Sequence, residues 1–264
     1  KLWKGEKIHN KSIVVFNEQG LGDTIQFSKY LLSLRKISNE ISFVVPKKIL
    51  NLFNTNVDKI KIETNDTITN KNYDYKIALG SLIKFFYKDK YKIDDNLLSK
   101  DKINITNWNK KLDNTKPKVG IVWSGSFLGP NEPFRSLPLK SLDKVLSLDI
   151  NFYSLQNEIW ERDQDYFEKT NIYKFGDYNL VEIASIIENL DLVISTDTSI
   201  LHLSCSLNKE TWGIFNIYPD WRWGEFNKIN PYPSLKMIKQ KKFNQWQEVT
   251  DEIFKQLQIK FNLS

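Results

Sequence analysis

Cysteine and histidine are scarce in this 264-residue chain, which has one cysteine, Cys205, and two histidines, His9 and His202. A single cysteine cannot form an internal disulfide, and this usage suits a reducing compartment. So few cysteines and histidines also argue against a Cys/His zinc site. We therefore expect no disulfide and no metal site.

Long apolar runs are also missing. None approaches the roughly 20 residues that span a bilayer, and there is no charged-then-apolar leader with a small-residue cleavage site. The chain begins KLWKGEKIHN without a methionine. We expect a fragment of a longer protein that works in the cytoplasm, including at the inner face of the membrane.

Concentrated charge is absent as well, although the formal net charge is +6. The lysines are scattered, as in KYLLSLRK and KFFYKDKYK, which is typical of solvated faces. Nucleic-acid binding favours a concentrated basic stripe or a known module, and neither is found. Attraction to anionic small molecules or to an anionic membrane surface stays open.

What the sequence does have is a regular alternation of strand and helix patterns. SIVVFN, EISFVVP, VGIVWSG and DLVIST are typical of buried strands, and amphipathic stretches follow them. Such alternation predicts an α/β fold with parallel sheets and right-handed crossovers. A polar segment that ends near NTKP predicts two Rossmann-like domains facing a cleft, over residues 1–114 and 115–264.

FNEQGLGDTIQFSKY (16–30) carries a glycine pair, Gly20 and Gly22, between a strand and a helix. The dinucleotide fingerprint needs a third glycine, and Ile25 stands there, so NAD binding is a poor match. Two interpretations stay open for Asp23. It caps the helix that follows, or it is a carboxylate at the ligand-binding edge of the sheet.

STDTSILHLS (195–204) is the most informative stretch. A buried strand runs into Asp197, Thr198 and Ser199, where a helix begins. A helix N-terminus with nearby hydroxyls favours an anion such as a phosphate. His202 lies one turn further on and can face the same side. The structural alternative is a well-capped helix with a packed histidine.

A second set of candidate phosphate ligands follows the strand at 119–123. Ser124 and Ser126 offer hydroxyl donors, Gly125 allows a close backbone approach, and Arg135 suits bidentate phosphate binding. Alone, Arg135 would be a surface charge. The D-x-D pattern in RDQD (162–165) resembles a metal motif, but we interpret it as the solvated face of a charged helix.

Five motifs in order carry a family resemblance: EQGLGDTIQFSKY, GIVWSGS followed by Arg135, FYSLQ with Gln156, VISTDTSILHLS, and PDWRW with a later YPS. The chain resembles, over about residues 3–250, the glycosyltransferase domain that follows tetratricopeptide repeats in many bacterial proteins. That domain is related to family 9, the lipopolysaccharide heptosyltransferases. The resemblance implies a GT-B fold with the nucleotide sugar held mainly by the C-terminal domain.

The resemblance also implies site residues. Gly22-Asp23 matches the pair that supplies the catalytic carboxylate, and Asp197, Thr198, Ser199 and His202 match the donor motif, with Ser199 in place of a glycine. Arg135 falls near the phosphate-binding lysine. Pro231 replaces the tryptophan that commonly precedes Tyr-Pro-Ser in the repeat-linked group.

These residues together predict an inverting, metal-independent sugar transfer. Asp23 would take the proton of an acceptor hydroxyl, and the phosphate ligands would stabilise the leaving nucleoside diphosphate. The loop of Trp221, Arg222 and Trp223 would line the nucleobase or sugar pocket, or form a hydrophobic lid that packs on the closing helix.

The expected partners are a nucleotide-sugar donor, used as substrate rather than cofactor, a glycan, lipid-linked or protein acceptor, and an upstream repeat domain, with no nucleic acid. The pathway would be surface glycan or lipopolysaccharide synthesis, or protein glycosylation. The rivals are a non-catalytic sugar-nucleotide or glycan-binding domain, a scaffold domain and a nucleotide-dependent oxidoreductase.

Overall fold

The structure is a computed structural model that describes residues 1–55, 57–68, 71–88, 97–99, 101–126, 132–223 and 232–263. The chain forms two compact units, Lys1–Lys102 with Asn179–Ala184, and Ile103–Tyr178 with Ser185–Ser264. The first boundary between the units thus lies after Lys102, before the linker that the sequence suggests near residue 114. The domain ranges 1–114 and 115–264 stay a prediction.

The first unit contains a four-stranded parallel sheet in the order β3-β2-β1-β4. Its strands are β1 (Ile8–Phe16), β2 (Ser38–Val44), β3 (Ile60–Glu63) and β4 (Tyr75–Ala78). Ile13 and Val15 are fully buried in the central strand β1. Apolar β-branched residues suit a strand that is covered on both faces, as parallel sheets require.

The helices of this unit are short: α1 (Leu21–Ser28), α2 (Leu31–Leu34), α3 (Asn65–Ile68), α4 (Ile83–Phe86) and 3₁₀-helices over Lys47–Leu52 and Leu79–Leu82. The sequence predicts one helix across DTIQFSKYLLSLRKI, whereas the structure breaks it after Ser28. There the Ser28 hydroxyl donates to the Ile25 carbonyl at 2.8 Å, and the Tyr30 N–H donates to the Phe27 carbonyl at 3.0 Å. These local bonds tighten the chain into a turn.

The second unit contains a five-stranded parallel sheet in the order β6-β5-β7-β8-β9. Its strands are β5 (Lys118–Val122), β6 (Asn151–Ser154), β7 (Leu192–Thr196), β8 (Thr211–Phe215) and β9 (Leu235–Lys239). The stretch NIYKFG, expected to be a strand, forms only one isolated bridge, between Tyr173 and Tyr153. The two parallel α/β sheets confirm the predicted fold class.

The other helices are α5 (Lys102–Lys111), α6 (Glu132–Arg135), α7 (Asp143–Leu146), α8 (Glu161–Phe167), α9 (Leu180–Glu188), α10 (Ser199–Ser206), α11 (Gln247–Phe261) and 3₁₀-helices over Leu139–Leu142 and Trp221–Trp223. One face of the second sheet packs on α11, where Ile194, Ile214, Ile238 and Ile253 share a buried cluster. Among the described residues, no helix combines the length and the apolarity that crossing a membrane requires.

Candidate functional site

Strand order locates the candidate site of the second unit. Open parallel sheets bind ligands beyond the carboxyl ends of their strands, where the order reverses. Counted from β5, this sheet has the order 2-1-3-4-5, so the reversal lies between β5 and β7. The loops that leave these two strands contain Ser124–Ser126 and Asp197–Ser199, which are residues that the sequence singles out.

The loop after β5 is shaped by the side chain of Gln156. Its Oε1 accepts hydrogen bonds from the N–H groups of Trp123 at 3.1 Å and Ser124 at 3.2 Å. Its Nε2 donates to the carbonyl of Ser124 at 2.7 Å and to the Oγ of Ser124 at 2.8 Å. Gln156, which the sequence predicts to support the site, therefore holds this loop in place.

The N–H of Gly125 also points into the protein, where it donates to the Oγ of Ser136 at 3.1 Å. The sequence predicts that a phosphate approaches the backbone at Gly125. In the structure, the Ser136 hydroxyl accepts the hydrogen bond of this N–H instead. Ser124 is buried, whereas Ser126 is exposed. Of the three predicted loop residues, Ser126 is the one that lies on the surface.

Arg135, the last residue of α6, links the two loops. It is half-buried, and its Nη1 donates to the backbone carbonyl of Asp197 at 2.8 Å. The alternative of an unattached surface charge therefore does not apply. The guanidinium lies at the point where the strand order reverses, and it carries positive charge there at any physiological pH.

The loop after β7 leads directly into α10. Thr198 is the N-cap residue, with extended backbone angles (φ −137°, ψ 173°) and no side-chain capping bond to the helix, and Ser199 is the first helical residue. The Oγ1 of Thr198 lies 3.2 Å from the Oγ of Ser195. The first N–H groups of α10 and the positive end of its dipole therefore favour an anion at this edge.

Asp197 is held by Trp223, the last residue of the predicted 221–223 loop. Trp223 Nε1 donates to Asp197 Oδ2 at 2.8 Å, and His202 Nε2 lies 3.7 Å from Asp197 Oδ1. Burial raises the pKa of the Asp197 carboxyl, opposed by the Trp223 hydrogen bond and by the charges of Arg222 and Arg135. Asp197 is thus a desolvated carboxyl group beside a cationic side chain.

His202 is buried between aromatic side chains. Its ring stacks on Trp223 at a centroid distance of 5.2 Å, and its Nδ1 lies 3.0 Å from the hydroxyl of Tyr232. Burial raises the pKa of the Tyr232 phenol well above its usual value, so the phenol stays neutral. His202 is therefore a packed histidine, as one of the two interpretations of this stretch expects, and its Nε2 also faces Asp197.

The predicted loop 221–223 contributes to the site through Trp223. Trp221 is 55% exposed, and Arg222 donates from its Nε to the carboxylate of Asp220 at 2.8 Å. Within the 3₁₀-helix over Trp221–Trp223, it is Trp223 that turns inward to Asp197. The sequence shows two tryptophans two positions apart, Trp221 and Trp223. It does not show which of them faces inward.

In the first unit, Asp23 lies inside the first turn of the helix and is not its N-cap residue. Helix α1 begins at Leu21, its N-cap residue is Gly20, and Gly22 and Asp23 lie within its first turn. Asp23 is half-buried at the positive end of the helix, where a carboxylate is favoured. A Cβ at Gly20 would lie 3.3 Å from Asp23 Oδ2, so glycine leaves room for the carboxylate.

Two further residues fix the loop before α1, and sequence reasoning did not identify either. The hydroxyl of Thr24, which is fully buried, donates to Asn17 Oδ1 at 2.6 Å. The Glu18 carboxylate accepts the N–H groups of Leu79 and Gly80, both at 3.1 Å. These bonds tie the β1 loop to the chain that leaves β4, where the order of the first sheet reverses.

The RDQD interpretation is wrong for one of its two aspartates. Asp165 is exposed, as expected, but Asp163 is 2% exposed. Its carboxylate accepts hydrogen bonds from Trp123 Nε1 at 3.2 Å and from the N–H of Leu139 at 2.9 Å. Within the described part of the chain, no group of three or more His, Cys, Asp or Glu side chains is placed to hold a metal ion.

Comparison with known proteins relates the chain to glycosyltransferases. Residues 151–252 match the model of glycosyltransferase family 9 (heptosyltransferase). Protein FlbA of Caulobacter vibrioides is 20% identical over an alignment that covers 93% of this chain and 46% of that protein. The chain therefore spans about half the length of this curated relative.

Two solved structures share the fold. The family 9 glycosyltransferase of Veillonella parvula has a TM-score of 0.63 and 14% identity, over 96% of this chain and 91% of that one. The ADP-heptose lipopolysaccharide heptosyltransferase II of Escherichia coli has a TM-score of 0.62 and 10% identity, over 94% and 98%. The fold is thus the GT-B fold of two Rossmann-like domains, and with the match to residues 151–252 it supports a glycosyltransferase of the family 9, heptosyltransferase-like type.

Proposed function

We propose that this chain transfers a sugar from a nucleoside diphosphate to a hydroxyl acceptor, with the donor bound between the loops of β5 and β7. The observation that carries the proposal is the hydrogen bond from Arg135 Nη1 to the Asp197 carbonyl, 2.8 Å long. It brings a permanent cation to the N-terminus of α10 at the reversal of strand order.

The proposed donor subsite suits a diphosphate leaving group. Arg135 supplies two N–H directions that match phosphate oxygens, the first turn of α10 supplies backbone N–H groups, and Thr198 and Ser126 supply hydroxyls. Because these groups are fixed before the reaction, they would stabilise the negative charge that develops on the leaving phosphate. The adjacent Asp197 would accept hydrogen bonds from donor hydroxyls.

Asp23 is the proposed general base. As the acceptor oxygen bonds to the anomeric carbon, the bond from that carbon to the phosphate oxygen breaks and the configuration inverts. The acceptor proton passes to the Asp23 carboxylate, and the nucleoside diphosphate leaves with the electron pair. This role requires Asp23 to lie about 2.6–3.2 Å from the hydroxyl when the acceptor is bound.

We infer an ADP-linked sugar as the first donor to test, because one relative of the same fold is named for ADP-heptose. A surface glycan, a lipid-linked glycan or a protein side chain would be the acceptor. The linkage to tetratricopeptide repeats, the cytoplasmic location and the absence of a cofactor stay predictions. A non-catalytic sugar-nucleotide-binding domain is the second candidate, since a fold alone does not establish turnover.

A thermal-shift screen tests the proposal. ADP, GDP, UDP and dTDP and their sugar conjugates are added to the wild-type chain, with NAD as a control. We expect one nucleotide class to raise the Tm, and the Thr198→Val/Arg135→Ala double variant to lose this rise. Lys140→Ala, which removes an exposed cation nearby, should keep it. A response to NAD alone, or to no nucleotide, would contradict the proposal, and binding without turnover would favour the second candidate.

A further inference from the structure

The buried carboxylate of Asp163 joins two segments that the proposed donor site depends on. Oδ2 accepts from the indole of Trp123 at 3.2 Å, at the start of the β5 loop. Oδ1 accepts from the N–H of Leu139 at 2.9 Å, at the start of the 3₁₀-helix over Leu139–Leu142. Arg162 Nε adds a longer contact to Oδ2 at 3.5 Å. One side chain of α8 thus connects segment 123–126 to segment 135–139.

The same two segments are also bonded directly to each other. The N–H of Leu137 donates to the carbonyl of Trp123 at 3.0 Å, and the N–H of Gly125 donates to Ser136 Oγ at 3.1 Å. Asp163 holds the outer ends of this connection. Arg135 lies within it, so the direction of its guanidinium depends on how the segments are fixed.

The chemistry of the carboxylate explains why an aspartate stands at this buried position. An ionised carboxyl group is costly to bury unless it is well hydrogen-bonded. Asp163 has two oxygens, and each accepts an N–H from a different segment. Asparagine has the same shape but only one acceptor oxygen, and its NH₂ group would face a second donor. An amide can therefore satisfy one segment and not both.

We propose that Asp163 is a positioning residue for the donor diphosphate, which it serves by fixing Arg135 and the β5 loop. This inference rests on the proposed function. Asp163 itself does not contact the Asp197 loop, and it acts through the two segments that it bonds. Displacements of about 1 Å at a site of this kind are enough to weaken binding and catalysis.

Nucleotide affinity with and without phosphates tests the inference. The probe is whichever of ADP, GDP, UDP and dTDP binds the wild-type chain most tightly, compared with its parent nucleoside by calorimetry. We expect Asp163→Asn to weaken diphosphate binding about tenfold, as for the loss of one charge-assisted hydrogen bond, and to leave nucleoside binding unchanged. Asp165→Asn, an exposed aspartate on the same helix, is the matched control and should bind both as wild type.

A second comparison separates positioning from general destabilisation. In an Arg135→Ala background, Asp163→Asn should cause a smaller further loss of diphosphate affinity than in the wild type, because one of the two elements that it positions is gone. If Asp163→Asn does not fold, Trp123→Phe removes one donor while it keeps an aromatic ring in the slot, and the same selective loss is expected.

The outcomes are distinct. Equal losses for diphosphate and nucleoside, or no loss for either, would overturn the positioning role while the wild-type binding still supports the proposed function. Failure of all four diphosphates to bind the wild-type chain would contradict the proposed function and this inference with it.

Discussion

The indole of Trp223 donates a hydrogen bond of 2.8 Å to Asp197, a carboxyl group whose pKa burial raises above its ordinary value of 3.8. The folded state therefore holds the Asp197 proton more tightly than the unfolded state does. Well below pH 3.8 the group is protonated in both states and has no effect on stability. As the pH rises from 3.8 through the raised pKa, stability is lost, and above it the full burial cost opposes folding.

Asp197→Asn should therefore stabilise the ligand-free chain at pH 7, since the amide keeps an oxygen for Trp223 and does not titrate. Urea unfolding at pH 7 should show a higher free energy of unfolding than for wild type. The difference should shrink as the pH falls toward 4. A variant that is less stable than wild type at pH 7 would contradict this account of Asp197.

Trp223→Phe should shift the same titration. The Trp223 hydrogen bond lowers the pKa of Asp197, so its removal should raise that pKa further and move the stability loss to higher pH. The pH dependence of the Tm measures the shift. Trp221→Phe, at an exposed position of the same loop, is the matched control, and an identical pH profile for both variants would argue against the Trp223 role.

Asp23→Asn should abolish most turnover without loss of donor binding. Removal of a general base typically costs about 10² to 10⁴ in rate, and Asp23 belongs to the first unit, whereas the proposed donor residues belong to the second. Single-turnover assays with the donor found in the nucleotide screen give the rate, and calorimetry gives the Kd. Equal loss of rate and of donor affinity would point to a structural role for Asp23.

Glu18→Gln should slow transfer while donor affinity stays as in wild type. Its carboxylate accepts two N–H groups, and glutamine can accept at only one oxygen, so the loop before Asp23 would lose one anchor. We expect a kcat about tenfold lower, with the Kd for the nucleotide unchanged. Gln19→Glu, at the exposed neighbouring position, serves as the control, and unchanged kcat for both variants would rule out the anchoring role.

Gly120→Ala tests the packing of β5, an inner strand of the second sheet. A Cβ there would lie 2.6 Å from Leu190 Cδ1 and 2.7 Å from Leu155 Cδ1, whereas a Cβ at Gly176 would meet nothing within 4 Å. Overpacking of this kind costs about 1–3 kcal/mol. Urea unfolding should show that loss for Gly120→Ala and little change for Gly176→Ala. Equal stability of the two variants would mean that the strand can shift to make room.

Local patterns were enough to predict the strands and the reversal-point loops. Parallel strands are buried on both faces, so runs such as 119–122 and 192–194 stand out as continuous apolar stretches. Residues that leave such strands also meet at one edge of the sheet, which is why Arg135 and Asp197 could be grouped before the structure was known. The roles of these residues in binding and catalysis stay predictions.

The misses have a common physical origin in long-range side-chain bonds. Asp163 looks like part of a charged helix in sequence, and only its bonds to Trp123 and Leu139 account for its burial. Trp223 and Tyr232 contact His202 although they lie 21 and 30 residues after it in the chain. Strand periodicity in the sequence predicts which residues are buried. The spacing of residues along the chain does not predict contacts of this long-range kind.

The Glu18 carboxylate makes the reversal points of the two sheets electrostatically different. A phosphate that approached the residues after β4 would find the N–H groups of Leu79 and Gly80 already bonded to the Glu18 carboxylate. At the corresponding reversal point of the second sheet stands the cationic Arg135. Under the proposed function, the acidic Glu18 at one reversal point and the basic Arg135 at the other would therefore direct a nucleotide to the second unit and favour a neutral hydroxyl at the first.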